Sequence, residues 1–183
     1  MTVPVVLALG LLLGGAGSDH GALHPTASGR VLPALSVSPP PSAGATTVSK
    51  CAQVISELPL TLDGQNLRET VSQPASGQVQ AWGDPAIVFS CGVARPKTLV
   101  PGDSRNLISA TGLAGPYYDV TAVNGAQVYT TVDRAIYISV TVPAKYHAAP
   151  MPTISRAIAK VLPAVCTTDP NTTDLSKLCT RRK

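Results

Sequence analysis

The chain has 183 residues, of which 14 are basic and 10 acidic, and its formal net charge at pH 7 is +4. Half of that excess lies in residues 169–183, which hold four basic and two acidic side chains, so the rest of the chain is nearly neutral. A nucleic-acid-binding domain would show a basic patch with interleaved aromatic residues, and only 4% of this chain is aromatic. We therefore expect no nucleic-acid partner, and we interpret residues 169–183 as a basic tail.

The N-terminal segment is almost continuously apolar over residues 3–17. Its length fits the apolar part of a signal peptide and is short of the roughly 20 residues that a membrane span needs. Small residues at positions 16–18 are typical of signal-peptidase cleavage before Asp19, although no Lys or Arg precedes the apolar run. We predict that residues 1–18 form a signal peptide or an uncleaved N-terminal anchor.

Residues 19–48 have the composition of a spacer. They are rich in Pro, Ser, Ala and Gly, and they contain the block VSPPPSAGATT. Too few large apolar groups are present to offset the entropy of ordering, so we predict a disordered linker. His20 and His24 could share a metal on a helix, but Pro25 and the composition argue against a helix, and we predict no metal site.

Four cysteines, Cys51, Cys91, Cys166 and Cys179, allow three pairings. They form no CxxC motif, and their wide spacings are poor for zinc, so structural disulfides in an exported protein fit best. We favour Cys51–Cys91 together with Cys166–Cys179. The spacing leaves open Cys51–Cys166 together with Cys91–Cys179.

The predicted domain, residues 49–168, opens with a helix. Ser49 is expected to cap this helix, which runs to about Glu57 and is stopped by Pro59. Asp63-Gly64 then gives a turn signal flanked by short strands.

Alternating apolar residues predict a sheet in the middle of the domain. After a turn at residues 83–85, one strand face carries Ile87, Phe89, Cys91 and Val93. Asn124-Gly125 is a strong hairpin signal. Further strands are predicted at residues 117–123, 126–132 and 135–142, with a weak strand signal at 107–111.

A second helix is expected after the sheet. Thr153 can cap it, and Pro163 bends or ends it. Its apolar residues fall on one face of the helix and form a single stripe: Ile154, Ile158, Val161, Leu162 and Val165. Together, the predicted helices and strands indicate an α+β two-layer sandwich. In it, an antiparallel meander of about four to five strands carries the N-terminal and C-terminal helices on one face.

No catalytic motif is present, so candidate site residues come from strand ends, where loops host function on many folds. Asp84, Asp133 and Arg134 are the charged candidates, and Trp82 could stack on sugar or peptide. The simpler interpretation is that the Asp residues are present because turns favour them, and that Arg134 forms an ion pair with Asp84 or Asp133. The Trp would then fill the edge of the core. His147 lies in a polar loop as a lone candidate base.

Three features together resemble a known family: the helix that bears Cys51, the segment AWGDPAIVFSCGV (81–93) and the segment TTVDRAIYISVTVP (130–143). They are similar to the uncharacterised actinobacterial family called domain of unknown function 3515, over most of residues 51–165. Its members are exported or lipoprotein-like and often lie near genes for D-alanine ligase. The resemblance therefore implies an envelope location and points towards cell-wall metabolism, but it implies no activity.

This chain departs from that family in two ways. It lacks the lipobox cysteine that some members carry, which bears on membrane anchoring. It also has Cys166 and Cys179, which are not a general family feature, and this favours treating the two as partners of one another.

These observations lead to an expectation of a non-catalytic, extracytoplasmic domain that binds an envelope protein or a cell-wall polymer. It would need no cofactor, and it would meet the membrane only through an uncleaved N-terminal segment. The alternative is an extracytoplasmic hydrolase of wall material that uses Asp84, Arg134 or His147, which requires those groups to converge.

Overall fold

The computed structural model describes residues 32–41, 44–72, 77–97, 107–111 and 115–165. The predicted leader, half of the predicted linker (residues 19–31, 42 and 43), Cys166 and the basic tail with Cys179 lie outside these ranges.

Two helices and ten strands are found in the described part of the chain. In chain order the elements are β1 (Leu35–Ser36), α1 (Ala45–Ser56), β2 (Thr61–Leu62), β3 (Gln65–Arg68), β4 (Thr70–Val71), β5 (Val79–Trp82), β6 (Ile87–Cys91), β7 (Leu107–Ser109), β8 (Tyr117–Val123), β9 (Ala126–Thr131), β10 (Ile138–Pro143), a 3₁₀ turn (Ala144–Tyr146) and α2 (Met151–Val161).

Eight of these strands form one open antiparallel sheet in the order β2-β3-β5-β6-β10-β9-β8-β7. The mixed α+β class and the antiparallel sheet are confirmed, but the expectation of four to five strands is wrong. The additional strands are short: β2 has two residues, β7 three, and β3 and β5 four each. Short strands around Asp63-Gly64 and a weak strand at 107–111 are expected from the sequence, but their joining of the central sheet as β2, β3 and β7 depends on long-range pairing. Of these, only β5 has no strand prediction.

The core lies between the two helices and one face of this sheet. In the middle of the sheet, Val140 pairs with Phe89 on one side and Tyr129 on the other, which puts all three side chains on the core face. The helices contribute apolar side chains to the same buried cluster, namely Cys51, Val54 and Leu58 from the α1 region and Met151, Ile154, Ala157, Ile158 and Leu162 from the α2 region.

Both helices begin earlier than their predicted caps. α1 starts at Ala45 rather than after Ser49, and α2 starts at Met151 rather than after Thr153. Neither N-cap residue makes a side-chain hydrogen bond, so packing of the apolar stripes holds these ends. α2 ends at Val161, two residues before Pro163, in line with the predicted stop.

The hairpin between β8 and β9 forms as Asn124-Gly125 predicts. Both turn residues have positive φ, at 47° and 75°, which is the geometry that Asn and Gly tolerate best. The Asp63-Gly64 turn between β2 and β3 has the same geometry, with φ values of 49° and 74°.

Part of the range predicted as a linker is ordered against the domain. Strand β1 pairs in parallel with β4, and the Leu35 amide donates to the Glu69 carbonyl at 2.8 Å. The Arg68 Nε also donates to the Pro33 carbonyl at 3.0 Å. With β4 it forms a separate two-stranded sheet, so long-range contacts that its composition does not reveal hold residues 33–36 against the domain.

The predicted Cys51–Cys91 disulfide is present and joins α1 to β6, with the Cα atoms 5.6 Å apart. Both cysteines are fully buried in the core. This bond excludes the alternative Cys51–Cys166 pairing. The predicted Cys166–Cys179 bond lies outside the described residues.

Candidate functional site

Trp82 is a core residue rather than a surface platform. Its side chain is 0% exposed, and its indole Nε1 donates to the Pro59 carbonyl at 2.9 Å. The hydrogen bond satisfies the one polar atom of the side chain and fixes the chain after α1 against β5. Stacking on sugar or peptide is therefore not available to Trp82 in this conformation.

Asp84 lies in the tight turn between β5 and β6 and is exposed, with 65% of its side chain accessible. Its carboxylate lies 3.6 Å from Arg68 Nη1, and its carbonyl accepts a hydrogen bond from Lys145. Gly83 precedes it with a φ of 70°, and an added Cβ there would lie 2.8 Å from the Tyr146 hydroxyl. The turn therefore needs glycine for both backbone conformation and space.

Asp133 and Arg134 form a buried ion pair after β9. Arg134 Nη1 lies 2.6 Å from Asp133 Oδ2, and the Arg134 side chain is only 1% exposed. Asp133 Oδ1 also accepts the Tyr117 amide at 3.0 Å. Burial raises the pKa of the Asp133 carboxyl, and the Arg134 charge and the amide hydrogen bond oppose this only in part.

The sheet keeps these two charged groups apart. Trp82, two residues before Asp84, pairs with Ile87 at one end of β6, whereas Cys91 at its other end pairs with Ile138 at the start of β10. Ile87 and Cys91 are four residues apart along β6, which corresponds to a distance of about 13 Å. Of the two ion pairs predicted for Arg134, the structure contains Asp133–Arg134, and Asp84 pairs with Arg68 instead.

A cleft of about 490 Å³ lies at the end of the sheet that is shared with Asp84. It is open on one side and is bounded by the β8–β9 hairpin and the segment that leads into α2. Its lining is Ala122, Gly125, Ala126, Gln127, Val142, Ala144, His147 and Ala148. Because six of these eight residues are small and apolar, the cleft suits a small apolar group of a partner.

Two polar side chains mark the rim of this cleft. Gln127 Oε1 accepts a hydrogen bond from the Tyr129 hydroxyl, which leaves the amide N–H₂ of Gln127 as a donor. His147 is exposed and has a positive φ of 51°. The sequence predicts His147 as a candidate but not Gln127, because a strand Gln next to a hairpin carries no local signal of a rim position.

Tyr118 and Ser155 join the sheet to α2 within the core. Their hydroxyls are 2.8 Å apart, although 37 residues separate them in the sequence. The Tyr118 ring also meets Tyr129 edge to face, with the ring centres 6.1 Å apart. Burial raises the pKa of the Tyr118 phenol well above its usual range, and the Ser155 hydrogen bond and the Arg134 charge oppose this only in part.

Stability should therefore fall in alkali, and Tyr118→Phe should reduce this fall. The folded state holds the Tyr118 proton more tightly than the unfolded chain, so its contribution is complete below about pH 10 and is lost as the pH rises further. The variant should lose about 1 kcal/mol at pH 7 through the Ser155 hydrogen bond. Urea unfolding at pH 7 to 11 measures both effects, and identical slopes above pH 10 in the two proteins would contradict the assignment.

Within the described ranges, no group of three or more His, Cys, Asp and Glu side chains is arranged to hold a metal ion. No helix among those residues is both long and apolar enough to cross a membrane.

Fold and site together define a small α+β domain with an open antiparallel sheet, a buried cross-link and an apolar cleft at one sheet end. The chain belongs to the family described as protein of unknown function (DUF3515), which it matches over residues 1–167. No curated protein and no solved structure matches it.

Proposed function

We propose that this chain is an exported, non-catalytic domain of the cell envelope that binds a protein or a cell-wall polymer through the cleft at residues 142–148. The cleft carries the proposal: it is open, lined by small apolar residues, and edged by one amide donor and one imidazole. Such a surface can bind a partner, and it lacks the paired acid and base that bond cleavage would need.

The extracytoplasmic location rests on two separate observations. The sequence opens with an apolar run of signal-peptide length, and the buried Cys51–Cys91 bond is compatible with an oxidising compartment. Fractionation of native cells and mass spectrometry of the purified protein would test it. A cytosolic species that keeps residues 1–18 and has free thiols would overturn it.

The hydrolase alternative has less support. It needs Asp84, Arg134 and His147 within hydrogen-bonding reach of one substrate, and Arg134 is buried at the opposite end of the sheet from Asp84.

Binding can be tested by cosedimentation of the secreted protein with purified peptidoglycan and, in parallel, by cross-linking to isolated envelope proteins. Ala148→Trp should fill the cleft and weaken binding by about tenfold or more, because Ala148 is exposed and the larger ring leaves the core untouched. Ala52→Trp, at an exposed position of α1, is the matched control and should bind like the wild type.

The two possible failures are distinguishable. If neither peptidoglycan nor any envelope protein retains the wild-type protein, the binding function is wrong. If the wild type binds and Ala148→Trp binds equally well, the function stands and the cleft is not its site.

A further inference from the structure

The cleft at the end of the sheet has walls that backbone hydrogen bonds hold in place. The Ala144 amide donates to the Gly125 carbonyl at 3.1 Å, which joins the 3₁₀ turn to the β8–β9 hairpin. The His147 amide donates to the Ala144 carbonyl at 3.0 Å. The Met151 amide donates to the Ala148 carbonyl at the same distance and so fixes the segment that leads into α2. A ligand therefore meets a preformed cleft, and little binding free energy is lost in ordering it.

One amide group is oriented at this cleft. Gln127 is exposed on β9, and its Oε1 accepts a hydrogen bond from the Tyr129 hydroxyl. Because the hydroxyl donates to Oε1, the amide is held in one of its two orientations. The Nε2 group of Gln127 has no acceptor among the described residues, so its N–H bonds remain for a ligand. Gln127 thus offers the cleft a hydrogen-bond donor.

The lining favours a neutral group of about the size of a methyl. Among the described residues that bound the cleft, none is Asp, Glu, Lys or Arg, so a carboxylate or a phosphate would lose its water without gaining a counter-charge. None of the same residues is Trp, Tyr or Phe, so the face of a sugar ring has no flat aromatic surface to stack on. A methyl group with an adjacent carbonyl oxygen matches the small apolar lining and the Gln127 donor together.

The strands beneath the cleft bear on which kind of molecule supplies that carbonyl. Gln127 pairs with Ala122 of β8 on one side and with Val142 of β10 on the other. Because β9 is flanked on both sides here, an extended peptide cannot add to it as a further strand and gain main-chain hydrogen bonds. An acetamido group needs only a side-chain donor for its carbonyl and an apolar recess for its methyl.

We propose that the cleft binds the acetamido group of an N-acetylated amino sugar in a glycan strand. The acetyl methyl packs against the alanines of the lining, and the acetyl carbonyl accepts a hydrogen bond from Gln127 Nε2. The His147 imidazole, at the rim, meets the amide N–H or a ring hydroxyl of the sugar. This ligand class rests on the proposed function, since the site is the same one, and it narrows the cell-wall polymer to one whose sugars are N-acetylated.

An NMR titration of the secreted protein with the β-linked trimer of N-acetylglucosamine tests this recognition. The side-chain amide signals of Gln127 and the backbone amide signals of Ala144 and Ala148 should shift. Cellotriose, the β-linked glucose trimer, has a hydroxyl in place of each acetamido group. It should bind about tenfold more weakly or less, because it lacks both the methyl and the carbonyl.

Two variants separate the donor from the recess. Gln127→Glu keeps an oxygen acceptor for Tyr129 but removes the amide donor, so it should weaken binding of the acetylated trimer about tenfold. Ala148→Trp, which fills the cleft, should weaken binding at least as much. Gln53→Glu makes the same change of charge at an exposed position of α1 and should bind like the wild type.

The acetamido assignment is wrong if cellotriose binds as tightly as the acetylated trimer, or if Gln127→Glu binds like the wild type. It is also wrong if trialanine amide shifts the cleft signals while the trimer does not, because the cleft then binds a peptide. In each of these cases the proposed function stands as long as peptidoglycan or an envelope protein retains the wild type. Binding of the trimer without retention by either would overturn that function and keep the ligand class.

Discussion

Replacing Cys51 and Cys91 by alanine is expected to lower the free energy of unfolding by about 4 kcal/mol. The bond closes a loop of 40 residues, and opening it restores the conformational freedom of that loop to the unfolded chain. The loop contains the β2–β3 hairpin, β4 and β5, so one side of the sheet and α1 are joined by this covalent link. Urea unfolding of the double variant followed by circular dichroism measures the loss.

The single variant Cys51→Ala separates the cross-link from packing. It abolishes the bond but retains the Cys91 side chain in the core, so it should lose nearly as much stability as the double variant. Reduction of the wild type in denaturant, followed by refolding under reducing conditions, should give a similar loss. Wild-type stability in the double variant would mean that the cross-link does not constrain the unfolded chain.

Trp82→Ala should lower the free energy of unfolding by about 3–5 kcal/mol, because it removes a fully buried ring from the core and leaves a cavity. It also leaves the Pro59 carbonyl without its donor. Trp82→Phe keeps most of the apolar contact and should lose clearly less. Trp82 is the only tryptophan, so circular dichroism must replace intrinsic tryptophan fluorescence as the probe.

Leu60, which follows Pro59 in the sequence, provides the control for the Trp82 variants. It is 73% exposed, and Leu60→Ala should change stability by no more than about 0.5 kcal/mol. If Trp82→Ala lost as little as Leu60→Ala, the ring would not be part of the core in solution.

Local signals predicted those parts of the fold whose cause lies within a few residues. The Asn124-Gly125 hairpin follows from the positive φ that these two residues accept, and the strand at β6 follows from alternation of Ile87, Phe89 and Cys91. The sheet has more strands than predicted because β2, β3 and β7, expected only as short or weak local strands, join it through long-range pairing, and because β5 carries no strand signal of its own. The start of α1 was missed because Gly44 offers no capping side chain.

The candidate site was less predictable than the fold. The loop residue His147, which the sequence marks as a candidate base, lines the cleft. Trp82 and Arg134 are instead buried. A sequence shows that a residue follows a strand but not whether another element covers it.

Sequence alone determined which local structures this chain can form: two amphipathic helices, a hairpin at residues 124–125, and cysteines suited to cross-links. Only the tertiary structure decided that Asp133 and not Asp84 neutralises Arg134. It also decided that Lys145 reaches the Asp84 carbonyl across 61 residues, and that Gln127 and His147 meet at one cleft. Turn geometry and hydrophobic period depend on neighbours in the chain, whereas these contacts depend on strand order, which long-range packing of the whole core selects.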